Sequence, residues 1–582
     1  MKKLVALFLA LALCVGCLAV SASAEAGEKV YRTYLSTDCE TLYGGNTVNS
    51  PTNTVTEYCS AYLYRAYPDE SGTNYHYIPD IAAELPIQID DYNWQIKIRP
   101  EAHWANGDPI NADTFIYSYK MLLDPLLVNR MADFLADYDI AIVNAKAYYS
   151  QGTAQPGDEG YVAWEDVGIK KIDDYTIQIT TVDVNTQKQV CTHFNNRANV
   201  PVYEPLYEAG MSEDRTSTTY GATIDQWMSC GPYILDTWTF DSVQIYKKNP
   251  DYWLADLFNY DTVEVYILPE MNARVQMFEK GELDDLTPNA SVIETYIDDP
   301  RLVEYSSVTV YHIDVNASNP NNPLCGSSNY RKALYFAMDR QTIAEDLFGY
   351  MEPAGWYVNG QAGLFSENGL TYRDSEYGQA VVDMVNSWGE YGYNPDTAYE
   401  YMVAAFEECG LSLDQTVTLR IAYDPSEANW NATAQYLVEQ YDTIFKGLIK
   451  LEIDNYSGIS TTEYKKSTDN WDLSPNDWSR GASRTYPYQC FYYFLSTYSS
   501  HPNNFFDEEF EAQYAACEAV KDDYTAMLAA TQKLEEIYLD KVIQIPMVQE
   551  VQFTLFSDRL VLPVTTYVPG FGWGTIYGDI AE

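Results

Sequence analysis

Trp94-Gln95-Ile96-Lys97-Ile98-Arg99, followed by His103-Trp104-Ala105-Asn106-Gly107-Asp108-Pro109-Ile110-Asn111-Ala112-Asp113, is the passage on which the fold turns. Its first six residues alternate apolar and polar side chains, which predicts a strand with one buried face. Asn106 to Pro109 has the composition of a turn, and Asn111 to Asp113 offers the short polar side chains that cap a helix. That helix carries Phe115, Tyr119 and Leu122 and ends at Asp124-Pro125. Outward from here the pattern stays mixed. Thr176 to Thr180 and Val263 to Ile267 alternate as strands, and Asn272 to Glu279 reads as a helix leading into Gly281-Glu282-Leu283-Asp284. Tyr330 to Leu347 has helical spacing, with Leu334, Ala337, Met338 and Ile343 on one stripe. Thr416 to Tyr423, Thr433 to Phe445 and Ile449 to Ile453 read as strand, helix and strand, the succession of an α/β lobe. A last helix, Met527 to Leu539, leads into Val542 to Pro546, a strand that the proline interrupts.

A chain of 582 residues is too long for one ordinary domain and can bury large cores. Aromatic residues make up 15% and include 53 Tyr, which excludes a wholly disordered chain. The formal charge of -49 repels phosphate backbones and anionic lipid, so no nucleic-acid partner is expected. Acidity alone names no ligand.

Met1-Lys2-Lys3 is a basic start, Leu4 to Val20 is an uncharged apolar run, and Ala22-Ser23-Ala24 follows as an A-x-A cleavage pattern. This predicts a signal peptide over residues 1–24 and an extracytoplasmic protein. Val15-Gly16-Cys17 also resembles the end of a lipobox, which leaves lipidation at Cys17 open beside cleavage at Ala24. Beyond the leader stand Cys39, Cys59, Cys191, Cys230, Cys325, Cys409, Cys490 and Cys517. None forms a CxxC pair, so no zinc site of the usual spacing is expected; disulfides and buried thiols both remain open. The five His form no HExxH, and no GxSxG elbow occurs. No catalytic residue, metal or cofactor is expected, and a secreted hydrolase is the disfavoured alternative.

Four blocks, in order, resemble the oligopeptide- and dipeptide-binding receptors of ABC importers, the extracellular solute-binding protein family 5. They are the opening passage, Cys230-Gly231-Pro232-Tyr233 with Lys248-Asn249-Pro250-Asp251-Tyr252-Trp253, then Gly281 to Asp284, and Tyr330 to Arg340. The resemblance implies an α/β, two-lobed fold of the type II periplasmic-binding-protein kind, hinge-connected, with an extra domain inserted in the first lobe. Carried onto this chain, lobe 1 combines 25–72, 202–302 and 543–582, the inserted domain spans 73–201, and lobe 2 runs from 303 to 542. It further implies a monomer that captures a peptide, or alternatively an oligosaccharide, and hands it to membrane permease subunits.

The resemblance also suggests where ligand is held. Tyr138 and Asn289 stand where similar proteins line the cleft from the first lobe. From the second lobe the candidate is the loop at Asp472 to Arg484, with Asp477, Trp478, Ser479, Arg480, Gly481 and Arg484 as its ligand-facing residues. The family typically carries an Asp three residues after the Trp, which holds a peptide ammonium; here that position is Gly481. Asp477 can take over that task, or Arg480 and Arg484 can hold an anion bidentately. Arg331, Asp339 and Arg340 read as structural, fixing their helix against its neighbours.

Overall fold

The computed structural model describes residues 27–47, 50–136, 140–362, 371–425, 428–457, 459–479, 486–498, 503–521 and 523–581. β1 (Val30–Leu35) is followed by α1 (Thr52–Cys59) and by a hairpin of β2 (Tyr64–Pro68) and β3 (Tyr75–Pro79). A separate sheet is then built from β4 (Ile87–Gln88), β5 (Asn93–Lys97), β6 (Ile169–Asp173) and β7 (Thr176–Thr180), in the order β4-β5-β7-β6. α2 (Ala112–Leu122) starts where the sequence predicts, because Asn111 accepts from the backbone of Thr114 while Thr114 bonds back to Asn111. α3 (Gln187–Phe194) has a similar capping box from Thr186 and Gln189. The chain returns to β1 through β8 (Tyr233–Thr239), β9 (Val243–Lys248) and β10 (Thr262–Ile267), giving the order β1-β10-β9-β8 with β1 and β10 parallel.

After α4 (Met271–Glu279) and β11 (Asp285–Leu286) comes β12 (Leu302–Val315), the longest strand. Beyond it lie α5 (Ser328–Phe336), β13 (Glu352–Pro353), α6 (Glu376–Trp388), α7 (Pro395–Glu408), β14 (Val417–Tyr423), α8 (Ala428–Phe445), β15 (Ile449–Asn455), β16 (Leu473–Ser479), α9 (Tyr524–Lys541) and β17 (Gln544–Phe556). The large sheet runs β11-β17-β12-β16-β14-β15, with β13 on the side of β17. β14 and β15 are parallel and joined by α8, the expected βαβ unit.

Apolar residues gather into two large, separate cores. One joins the β1 sheet, the β4–β7 sheet and the chain end, from Tyr31 and Val263 to Trp94, Ile177 and Tyr577. The other collects α5 to α9 around Ile313, Leu419 and Ile545. β12 and β17 pass from the second core to two small clusters near the first, built on Leu555 and on Val551 with Phe553. Their ladder is broken midway: Ser306 faces Val551, but Val310 faces Gln549, so three residues stand against one. Such a bulge frees carbonyls. The Gln549 side-chain amide donates to the oxygens of Ser307 at 2.7 Å and Thr309 at 3.0 Å, and Gln361 donates to Ser306 at 2.5 Å.

Two expectations fail for local reasons. The helical stripe Tyr330–Leu347 does not make one helix: α5 stops at Phe336, and Asp339 caps a new turn by accepting from the backbone of Thr342 at 3.1 Å. Fully buried Arg340 takes the carbonyls left behind, donating to Tyr335, Met338, Tyr391 and Pro546. Pro546 does not interrupt β17 either. Tyr311 faces Val548 and His312 faces Pro546, so Met547 is an extra residue and the missing proline N–H is absorbed by a bulge. Buried Arg331 donates to the Lys541 oxygen at 3.1 Å, so Arg331, Asp339 and Arg340 all bind backbone or cap a turn inside this core.

The motif blocks serve the same purpose. Gly231 lies against the backbone of Cys59 and Ser60, where a Cβ would approach to 2.5 Å, so no other residue fits there. Asn249 donates to the Gly231 oxygen at 3.1 Å, and Tyr252 (2.5 Å) and Trp253 (3.1 Å) donate to Asp80. Asp284 receives the backbone of Arg32 and the Arg559 guanidinium. No disulfide is formed among the described residues, and Cys39, Cys59, Cys191, Cys230, Cys490 and Cys517 are buried.

Asp80 also accepts from Arg65 at 3.0 Å, a fully buried acid paired with a nearly buried base. Asp80→Ala is expected to lower unfolding stability by about 3–5 kcal/mol, because a buried cation loses its partner. Urea melts followed by tryptophan fluorescence measure this, and adding Arg65→Met recovers part of the loss.

Candidate functional site

α1 buries Thr52, Val55, Thr56, Tyr58 and Cys59 in the first core. Asn53 and Glu57, four residues apart and so on one face, point the other way. They form one wall of a pocket of about 460 Å³. Tyr62 and Arg65 continue that wall, Met131, Phe134 and the turn Asn195–Arg197 make a second, and the C-terminal loop with Phe571, Ile576 and Tyr577 makes a third, leaving the pocket open to solvent. Gly574 makes the loop possible: its φ is +60°, and a Cβ would meet the Phe571 ring at 2.5 Å. The same loop reaches the strands between the cores, since Tyr567 stacks on Tyr305 with ring centroids 3.7 Å apart and Trp573 meets Tyr305 edge-on.

The cations here are already engaged. Arg65 donates to Asp80 and to the Ser60 oxygen at 3.1 Å, and its guanidinium lies over the Tyr62 ring. Arg197 donates toward the Met131 sulfur at 3.7 Å, and burial weakens its hold on its proton. Glu57 is open to the pocket yet closely walled, and desolvation raises its carboxyl pKa, which nearby Arg65 opposes. On β11, burial pushes Asp285 up to about 7, although Thr33 and Tyr31 hydrogen-bond to it.

Of the residues proposed from the sequence, Asn289, Asp477, Trp478 and Ser479 fall among the described residues, and the pocket lining does not include them. Asn289 is exposed, and its side-chain oxygen accepts from the backbone of Ser291 at 3.1 Å and its hydroxyl at 2.6 Å, a local turn. The segment read as a loop begins as a strand, β16, paired along β12. Asp477 is exposed there, opposite Tyr311, while Trp478 and Ser479 are placed by backbone register alone, opposite Val310 and Thr309. Tyr138, Arg480, Gly481, Arg484 and Cys17 lie outside the described residues. The pocket residues were missed, although Asn53 and Glu57 at helical spacing beside an apolar stripe were the available signal.

A contact joins the parts across the chain. Gln189, in the first turn of α3, donates to the Tyr486 hydroxyl at 3.1 Å, linking the β4–β7 region to residues of the second core. Among the described residues no three His, Cys, Asp or Glu gather as a metal site, and no helix is long and apolar enough to cross a membrane.

The family model described as bacterial extracellular solute-binding proteins, family 5 Middle, matches residues 76–500. The dipeptide-binding protein DppE of Bacillus subtilis is 27% identical over 300 residues, which cover 51% of this chain and 50% of that protein. The oligopeptide-binding protein OppA of the same organism is 25% identical over 64% of this chain and 62% of its own length. The chain thus spans between half and two thirds of these relatives. Among solved structures, Listeria monocytogenes OppA bound to peptide covers 96% of this chain and 100% of its own, with TM-score 0.63 and 19% identity. The substrate-binding domain of an oligopeptide ABC transporter from Bacillus anthracis covers 96% and 99%, with TM-score 0.64 and 18% identity. These likenesses establish the two-lobed, type II-like periplasmic-binding fold.

His193, at the end of α3 beside the pocket turn, is buried with no hydrogen-bond partner for either ring nitrogen among the described residues, and burial lowers its pKa to about 4. An unfolded histidine titrates near 6.5, so between those values only the unfolded chain takes up the proton. Stability is therefore lost as pH falls from about 6.5 toward 4, by about 3 kcal/mol in full. Urea midpoints at pH 7 and pH 4.5 are expected to differ less in His193→Leu than in the native chain.

Proposed function

Because the chain belongs to the bacterial extracellular solute-binding proteins, family 5, we propose that it captures oligopeptides between its two lobes and delivers them to the permease of an ABC importer. It binds its ligand and leaves the covalent bonds intact. The observation that carries this reading is the pair of separate cores spanned by β12 and β17, with a bulge where the strands leave one core for the other. A bulge at that place lets the halves tilt while Gln549 and Gln361 keep the freed carbonyls paired. The relatives reported above are named for peptides, which favours peptide over oligosaccharide as the ligand.

In this reading lobe 1 is assembled from 25–72, 202–302 and 543–582, carries 73–201 as an insert, and faces lobe 2 at 303–542. The leader at 1–24 directs export, and lipid on Cys17 would tether the receptor beside its permease. Ligand meets Tyr138 and Asn289 from the first lobe and Asp477 to Gly481 with Arg484 from the second. By touching both lobes it favours the closed form, and the shift can be no larger than its preference for that form.

Native mass spectrometry of the purified protein is expected to reveal a retained peptide. Restoring that peptide to stripped protein is expected to reduce the radius of gyration in small-angle scattering; bound peptide without compaction counts against closure. Trp478→Ala is expected to weaken binding more than tenfold, about 1.4 kcal/mol. An unchanged affinity in a folded variant removes Trp478 from the cleft.

A further inference from the structure

We propose that the helices of the second core hold a binding site of their own, for a small uncharged aromatic molecule that carries a hydrogen-bond acceptor. α5, α6 and α9 end beside the start of α7, and a pocket of about 330 Å³ lies where they meet, at the lower end of the range that small-molecule sites occupy. Phe336 and Trp388, the last residues of α5 and α6, line it together with Thr397 and Tyr401, which stand four apart on one face of α7. Leu539 and Val542, at the end of α9, complete the apolar part of the lining. β17 begins next to it at Gln544 and reaches the bulge near Val551, a strand length on the order of 20 Å. The pocket is thus remote from the region between the two cores.

Its walls are fixed in advance. Asn394 donates its backbone N–H to the Phe336 oxygen at 2.8 Å and its side-chain amide to the Trp388 oxygen at 3.1 Å, and its side-chain oxygen caps α7 by accepting from the backbone of Thr397 at 3.1 Å. One residue therefore ties three walls together, and a ligand has little ordering left to do. Val542 is buried at φ +46°, a left-handed conformation that costs a β-branched residue dearly and that clusters where proteins clamp ligands. The lining also sets the chemistry. Its two charged residues, Lys332 and Asp540, bind each other at 2.7 Å, so an ionic ligand would have to break that pair and a neutral one leaves it whole. Trp388 meets Phe336 and Tyr335 edge-on at 5.9 Å, and Tyr401 lies parallel to Phe336 at 5.6 Å, an array that a further ring extends. The Trp388 indole N–H and the hydroxyls of Thr397 and Tyr401 make no hydrogen bond among the described residues. An indole N–H can donate and never accept, so the molecule that satisfies it brings an acceptor.

Acetophenone, an uncharged ring with a carbonyl acceptor, is the probe, and titration followed by saturation-transfer NMR reads its binding to the full chain. Ethylbenzene lacks the acceptor, benzoate adds a charge, and 1-cyclohexylethanone has a saturated ring. The native chain is expected to bind acetophenone at one site and each of the other three about tenfold more weakly or worse. Trp388→Phe, which keeps a ring and removes the N–H, is expected to lose about tenfold for acetophenone and nothing for ethylbenzene. Thr397→Phe, which fills the space, is expected to abolish binding, and Trp478→Ala, in the segment assigned to the peptide, to leave it unchanged. Thermal unfolding shows that each variant is folded, and the comparison of the four compounds on the native chain needs no variant. No binding of acetophenone overturns the proposal, as does benzoate, ethylbenzene or the saturated ketone binding as tightly. Full affinity in folded Thr397→Phe, or loss of affinity in folded Trp478→Ala, places the probe elsewhere and overturns it too.

Discussion

Two antiparallel strands that belong to both halves of the molecule set the terms for everything else. β12 and β17 must keep a hydrogen-bonded ladder through the region between two cores, because unpaired backbone groups away from water are costly. A straight ladder would weld the halves together. The bulge at Ser306–Val310 relieves this, and the side-chain amides of Gln549 and Gln361 take the carbonyls that it releases. Side-chain amides on single bonds can follow a carbonyl that moves, which a neighbouring strand cannot do.

The same principle of replacing lost backbone partners recurs in the second core. Where α5 stops, the Arg340 guanidinium gathers carbonyls from the helix end, from Tyr391 and from Pro546. A planar fork with several donors suits that task, and a lysine would not. Close by, fully buried Asp314 on β12 receives Lys465, Gln544 and Asn476, tying β16 and β17 to one acid. In the first half Asp80 plays the corresponding part for Arg65, Tyr252 and Trp253. Each half thus has a polar centre of its own inside its apolar core.

Much of the architecture was legible because the blocks that carry it are local. Trp94–Lys97 alternates, Asn111 caps, and Gly231 with Asn249 locks the start of β8, all within short reach along the chain or in one motif. The breaks were not legible. Ala337 and Met338 continue an apolar stripe, and nothing in the spacing tells that Arg340 will draw carbonyls from residues 206 positions away, at Pro546. The pocket was hidden for the same reason: Glu57, Arg197 and Phe571 come from three distant parts of the sequence. The motifs that made the fold recognisable hold the scaffold, whereas the residues that line the pocket sit in segments with no motif at all.

The thiols carry a consequence for where this molecule can live. Its cohesion rests on aromatic cores and on buried acids with their partners, with no sulfur–sulfur bond among the described residues. The eight cysteines among the described residues stand as separate thiols, so no cystine shares in holding these cores. A thiol reductant finds no bond to cut among these residues, whereas a fold stapled by cystines would soften under it.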